Sequence, residues 1–225
     1  MTLNRYRDFL KRVDELGFMT LSHVLSGLPS LGEETPQDHW HTGDPDTDPW
    51  HWKDRAAEEK RLAYGCILGG HKGFVSARMY PLFYVVYHPV ECMEDLWAAG
   101  VVSQTTWQLW RLFEQQGSLD TSGIRREMGV TAKKGGSRVD ASIRELQRDY
   151  HITVSGNRRK VDRAGRPYGW PACLYERVDD WSPADWLSRI SNIQAGDARE
   201  MILDAGMAMG NGFSRKDLAR ALGMA

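Results

Sequence analysis

The sequence has no apolar run near the roughly 18 residues that a membrane-spanning helix needs. Its start, Met1-Thr2-Leu3-Asn4-Arg5-Tyr6-Arg7, turns amphipathic at once and lacks the apolar stretch of a secretion signal. Only three cysteines occur, Cys66, Cys92 and Cys173, far apart and odd in number. They make no CxxC pair and no disulfide framework, which points to reduced thiols in a cytoplasmic protein. No internal repeat of fixed period is visible. Net charge is nearly absent too, at −1 over 225 residues. Hydrophobic residues, by contrast, make up 41% of the chain, enough to bury a core in one large domain or two small ones.

The small total hides an uneven distribution. Residues 29–60 carry nine acidic and three basic side chains, whereas residues 125–167 carry twelve basic and five acidic ones. A basic block in an otherwise neutral chain is the electrostatic footprint of a phosphate-backbone partner.

Periodicity predicts helices over 2–16, 49–60, 77–87 and 91–99, with residues 18–49 irregular and punctuated by Pro29, Pro36, Pro45 and Pro49. Residues 61–67 and 73–75 read as a hairpin. From Ser103 the pattern sharpens into helices over 104–115, 121–128 and 137–149, then strands over 152–155 and 170–176 around a basic loop. Three helices followed by two strands is the winged helix-turn-helix order. The tail reads as two more helices. Asp197 and Glu200 resemble a capping box, Ala198, Met201, Ile202 and Ala205 share a face, and Ser214 caps the last helix. The expected fold is mainly α with small β-hairpins (α+β), built of winged helix-turn-helix modules. Three segments follow: a winged-helix-like module over 1–102, a winged helix-turn-helix over 103–178, and a helical segment over 179–225.

In the helix over 137–149, Val139, Ile143 and Leu146 fall on one side and should pack inward. Ser137, Ala141, Arg144 and Arg148 fall opposite, flanked by Arg138 and Glu145. An outward face of this kind enters the major groove in a helix-turn-helix, where arginine grips guanine or phosphate. The preceding turn adds Lys133 and Lys134. The loop Asn157–Pro167 adds Arg158, Arg159, Lys160, Arg163 and Arg166, five cations in eleven residues. Such a loop suits a phosphate track or a minor groove. Ser137, with Lys133, Lys134, Arg138, Arg144, Arg148 and the five cations of the loop, makes eleven candidate nucleic-acid contacts.

The segment from Asp38 to Trp52 is unusual in another way, crowding carboxylates, histidines and tryptophans together. Three readings are open. His39, His41 and the aspartates are metal-ligand types, though without a known ligand spacing, so neither metal nor cofactor is expected. Asp44, Asp46, Asp48 or Asp54 could serve as a general acid or base in a cleft. Aspartates at caps and turns, with tryptophans over the core, would be purely structural. A negative loop beside the basic loop would repel phosphate, so it should face elsewhere or hold a basic element.

Two stretches resemble a known family: Asp46-Thr47-Asp48-Pro49-Trp50-His51-Trp52 with Ala63-Tyr64-Gly65 and Gly73-Phe74-Val75-Ser76, and Tyr168-Gly169-Trp170-Pro171 after the basic loop. They look like the small bacterial proteins described as related to the DNA glycosylase AlkZ. The resemblance implies tandem winged-helix modules, akin to enzymes that release alkylated and crosslinked bases. In those glycosylases a Leu-Gly pair precedes a Gln-x-Asp, Gln-x-Glu or Gln-x-Gln motif that positions water at the sugar–base bond. Here the pair is Leu16-Gly17, and the matching residues are Thr20 and Ser22, neither of them a base at neutral pH. The expected function is therefore DNA binding, on duplex or damaged DNA, without glycosylase activity. The alternatives are an active glycosylase using a relocated acid, and a protein-interaction or regulatory module that forms a homodimer through the 198–209 face. No membrane partner is expected.

Overall fold

A computed structural model describes residues 2–131, 133–162, 164–188, 190–210 and 212–224. Helix α1 (Tyr6–Leu16) buries Tyr6, Phe9, Leu10 and Val13, the three-and-four spacing of one helical face. It stops at Gly17, whose φ of 96° lets its N–H turn back to the Val13 carbonyl at 2.7 Å. Strand β1 (Phe18–Thr20) follows at once. After it come α2 (Leu31–Glu34), capped by the Ser30 hydroxyl, a 3-10 turn (Gln37–His39) and α3 (Pro49–Glu58). Residues 18–49 are thus less irregular than the prolines suggest. A three-residue strand is too short to display alternation, and β1 exists only through its partner.

That partner is β3 (His71–Ser76), which also pairs with β2 (Leu62–Leu68), so the first sheet runs β1-β3-β2, antiparallel throughout. Helix α4 (Tyr80–Tyr87) starts three residues later than expected. The Ser76 carbonyl accepts from Met79 N–H in a turn, which leaves Pro81 inside the first helical turn, where its missing N–H costs nothing. Next come α5 (Met93–Ala98) and α6 (Gln104–Gln116), the latter capped by Ser103.

The second sheet completes the pattern. Strand β4 (Ser118–Asp120) precedes α7 (Thr121–Glu127) and α8 (Gly136–Arg148), followed by β5 (Ile152–Arg158) and β6 (Ala172–Arg177). The strands order as β4-β6-β5, antiparallel, with Leu119 opposite Tyr175. Trp170 and Pro171 precede β6 rather than opening it. The chain ends in α9 (Val178–Trp181), α10 (Ala184–Leu187), a 3-10 turn (Ile190–Asn192), α11 (Ala195–Met209) and α12 (Arg215–Ala221). Helix α11 starts at Ala195 without a side-chain cap, so Asp197 lies in its first turn and not at a capping position. Ser214 and Asp217 do form a capping box on α12. The buried face of α11 is Ala198, Ile202, Leu203 and Gly206; Met201 is 53% exposed. That face packs in a cluster with Tyr80 and Phe83 of α4 and Leu218 of α12, so it is covered within the chain.

Hydrogen bonds tie β2 and α3 to α8, Tyr150 and α9, the elements around the second sheet. The Cys66 N–H donates to Gln147 Oε1 at 3.1 Å, Tyr150 Oη to the Ile67 carbonyl at 3.1 Å, and Trp181 Nε1 to the Ala57 carbonyl at 3.1 Å. Gly65 admits this closeness, because a Cβ there would lie 2.6 Å from Gln147 Oε1. The molecule is an α+β fold of many short helices around two small sheets. No helix among the described residues is long and apolar enough to cross a membrane.

Candidate nucleic-acid interface

Helix α8 buries Val139, Ile143 and Leu146, as its period requires, together with Ser142 and Gln147. Glu145 is tied back to α6, its Oε2 accepting from the Thr106 hydroxyl at 2.6 Å. Ser137, Arg138, Arg144 and Arg148 are exposed, and so are Lys133 and Lys134. Their electrostatic situations differ. Arg148 forks onto the neighbouring Asp149 with contacts of 2.6 and 2.8 Å, which raises its already high pKa further and engages its Nε and one Nη2 donor. Among the described residues Arg138 and Arg144 have no carboxylate partner. Asp140, one turn away, is held by Arg125 at 3.0 Å.

The loop between β5 and β6 is a built turn. Asp162 Oδ1 accepts from the Ala164 and Arg166 N–H groups at 2.8 and 2.9 Å, and Val161 bridges Pro167. Those backbone donors, that of Arg166 foremost, hold the Asp162 carboxyl below its ordinary range. Arg166 pairs with the same Asp162 at 3.0 Å, and Arg158 with Asp120 at 3.1 Å. Lys160 is half-buried and its carbonyl accepts from Tyr168 N–H. Arg159 is exposed and, among the described residues, makes only a long contact, 3.5 Å, with the Gly169 carbonyl. Arg163 lies outside the described residues.

The sequence reading missed one cation, Lys72, and its neighbour His71. His71 and Lys72, at the start of β3, line with Gly70, Thr121 and Arg144 a groove of about 400 Å³ between the β2–β3 turn and α8. Gly69-Gly70 marked the hairpin tip, but no local signal could say that the tip lies beside α8.

A second cavity, of about 210 Å³, lies where the acidic segment meets the base of the loop. Its lining includes His41, Asp48, Trp50, Asp54, Arg159 and Trp170. The segment therefore does not face away from the basic loop; it holds part of it. The three rings touch: Trp50 to Trp170 at 5.8 Å, His41 to Trp170 at 5.5 Å and His41 to Trp50 at 4.9 Å between centroids. His41 keeps a left-handed φ of 67°, costly for a residue with a Cβ.

The four candidate carboxylates separate sharply here. Asp44 is exposed and folds its own turn, Oδ1 accepting from Asp46 N–H at 2.8 Å. Asp46 is exposed and lies 3.7 Å from Arg5. Asp48 is buried, and its oxygens accept from the N–H groups of His41, Gly43 and Trp50 at 2.9–3.0 Å. Burial pushes its carboxyl up, but those three donors outweigh it and the group lies below the ordinary range. Asp54 is 6% exposed. Its Oδ2 accepts from Lys53 Nζ at 2.7 Å and Asn157 Nδ2 at 3.2 Å, while its buried Oδ1 has no partner among the described residues. Lys53 in turn lies 4.4 Å from the centre of the Trp50 ring. Of the four, Asp54 alone combines a place in the cavity with an unmet oxygen. His39 and His41 join no group of three or more metal-ligand side chains among the described residues.

Thr20 sits in β1, with its hydroxyl donating to the Pro29 carbonyl at 3.2 Å. A family model described as AlkZ related matches residues 3–223. The chain belongs to the AlkZ-related family. That membership relates it to DNA-repair glycosylase-like proteins and spans both sheets and both candidate surfaces. No curated protein and no solved structure matches it.

Proposed function

We propose that this member of the AlkZ-related family is a winged-helix DNA-binding protein that acts without a glycosylase step of its own. The order helix, strand, helix, helix, strand, strand from α6 to β6 is that of a winged helix-turn-helix, with α8 as recognition helix and the 157–167 loop as wing. The observation that carries the reading is the charge state of α8. Arg138 and Arg144 stand exposed with no carboxylate paired to them among the described residues, and Lys133 and Lys134 extend the same basic surface. Arg159 adds an exposed cation at the wing, and Lys72 one at the hairpin tip.

Binding to duplex DNA should weaken steeply with salt, because each phosphate neutralised releases condensed counterion. Arg138→Ala should flatten the slope of log K against log salt by roughly one. Arg148→Ala should change it less, because Asp149 already holds that guanidinium. An affinity that stays flat from low to moderate salt would end this reading. Purified protein is expected to produce no abasic sites in alkylated duplex beyond an Asp54→Asn control, since the resemblance puts Thr20 and Ser22 rather than a carboxylate or amide at the water-positioning place, and the Thr20 hydroxyl is engaged by the Pro29 carbonyl. Accumulation of abasic sites by the wild type alone would establish the enzyme instead.

A further inference from the structure

The cavity between the acidic segment and the wing is assembled at evident cost. An unmet buried carboxylate oxygen at Asp54 is destabilising, and so is the left-handed backbone at His41. Trp170 adds to this by leaving 62% of its surface exposed at the rim. Asp48 holds the His41 turn by accepting its N–H at 3.0 Å, but nothing among the described residues meets Asp54 Oδ1. That oxygen and the exposed Trp170 ring are both accounted for if something planar and rich in N–H groups enters. Trp170 and His41 offer ring surfaces for stacking, and Asp54 Oδ1 accepts only.

From this we propose that the cavity receives a single unpaired guanine, stacked on Trp170 with its Watson–Crick edge toward Asp54. The choice among bases follows from the carboxylate. Guanine alone presents two adjacent donors on that edge, N1–H and N2–H, which one oxygen with two lone pairs can take together. In adenine and cytosine the exocyclic N–H lies beside a ring nitrogen lone pair, and in thymine N3–H lies between two carbonyls. Each of those would set a lone pair against the anion. Asn157 and Arg159, at the wing end of the cavity, lie where the sugar and phosphate of the same nucleotide would pass. The proposal rests on the nucleic-acid reading above for the source of the base, but not for its chemistry.

The test uses the full-length protein and four free nucleotides, the 5′-monophosphates of guanosine, inosine, adenosine and cytidine, followed by the indole N–H signals of its tryptophans in NMR titrations. Guanosine monophosphate should shift the Trp170 and Trp50 signals and bind at least tenfold more tightly than the adenosine and cytidine forms. Inosine monophosphate, which keeps N1–H and lacks the 2-amino group, should fall between. Asp54→Asn should remove the ranking. Because that change could unsettle Lys53, Trp170→Ala serves as the second variant; it alters an exposed ring and should weaken all four nucleotides alike. Equal binding of the four, or no shift at either indole, overturns the proposal even if duplex binding persists. Guanosine selectivity in a protein that ignores duplex DNA would instead uphold the cavity and overturn only the assignment of the base to a strand.

Discussion

Asp48 shows how much one side chain can organise. Its two oxygens fix the N–H groups of His41, Gly43 and Trp50, so the cap of α3 and the turn beneath the cavity share one anchor. Removing it with Asp48→Ala strands three donors and should cost about 2–3 kcal/mol in chemical denaturation. Asp48→Asn keeps one acceptor oxygen and should cost less. A second residue-scale effect concerns acid. His151 is 7% exposed and faces His88 at 4.9 Å and Trp110 at 5.5 Å. Burial, then the nearby His88, lowers its pKa to about 4, against some help from Asp149. His88 is also lowered, chiefly by burial, although its Nδ1 lies 3.1 Å from the Asp149 carbonyl. The sign follows: the unfolded chain takes up the proton first, near pH 6.5. Stability is therefore whole above that pH and is lost as the pH falls toward about 4, by roughly 3 kcal/mol from His151. A melting series from pH 7.5 to 4 should show the decline, and His151→Asn should flatten it. The Asp48 contribution fades in a lower window, below the ordinary aspartate pKa.

Among the elements, legibility tracks period and length. Helix α8 was readable because thirteen residues carry an unbroken 3.6-residue pattern, and Val139, Ile143 and Leu146 went where that pattern sent them. The caps Asp48 and Ser214 were readable from cap-forming side chains just before a periodic run, whereas Ser103 was not singled out as one. Strands β1 and β4 were not, since three residues cannot display alternation and their hydrogen bonds go to β3 and β6, far along the chain. Asp120 shows what that hid. Its Oδ1 accepts from Ser122 and Gly123 N–H at the start of α7, and its Oδ2 holds Arg158 at the end of β5. One carboxylate thus ties the helix before α8 to the base of the wing. Asp120→Ala should destabilise by about 1–2 kcal/mol through the cap, the exposed ion pair adding little. The same change frees Arg158, so DNA affinity at low salt should hold or rise while stability drops, a split that fluorescence anisotropy and denaturation would resolve together.

Across the whole molecule, what local pattern could not reveal is which distant segments meet. His41 and Trp50 meet Trp170 only because α3 lies along β5, and the charge counts that separated an acidic from a basic stretch gave no hint that they share a wall. The C-terminal helix is placed by a similar long-range fit. Gly69, at φ 61°, lies so close to the end of α12 that a Cβ would come within 2.1 Å of the Leu222 carbonyl oxygen. Tyr87 Oη donates to that same carbonyl. Gly70, next in the turn at φ 90°, has open space, with nothing nearer to its Cβ position than Arg148 Cδ at 3.9 Å. The pair makes an internal control. Both alanine variants incur the left-handed penalty of roughly 1 kcal/mol. Only Gly69→Ala also forces backbone against backbone, which nothing flexible can relieve. It should lose Tyr87–Leu222 and loosen Leu218, Leu222 and Met224 from the cluster around Phe83 and Ile202. Hydrogen exchange over residues 212–224 should quicken strongly in Gly69→Ala and little in Gly70→Ala. Equal protection in the two would mean that the hairpin tip does not seat the C-terminal helix.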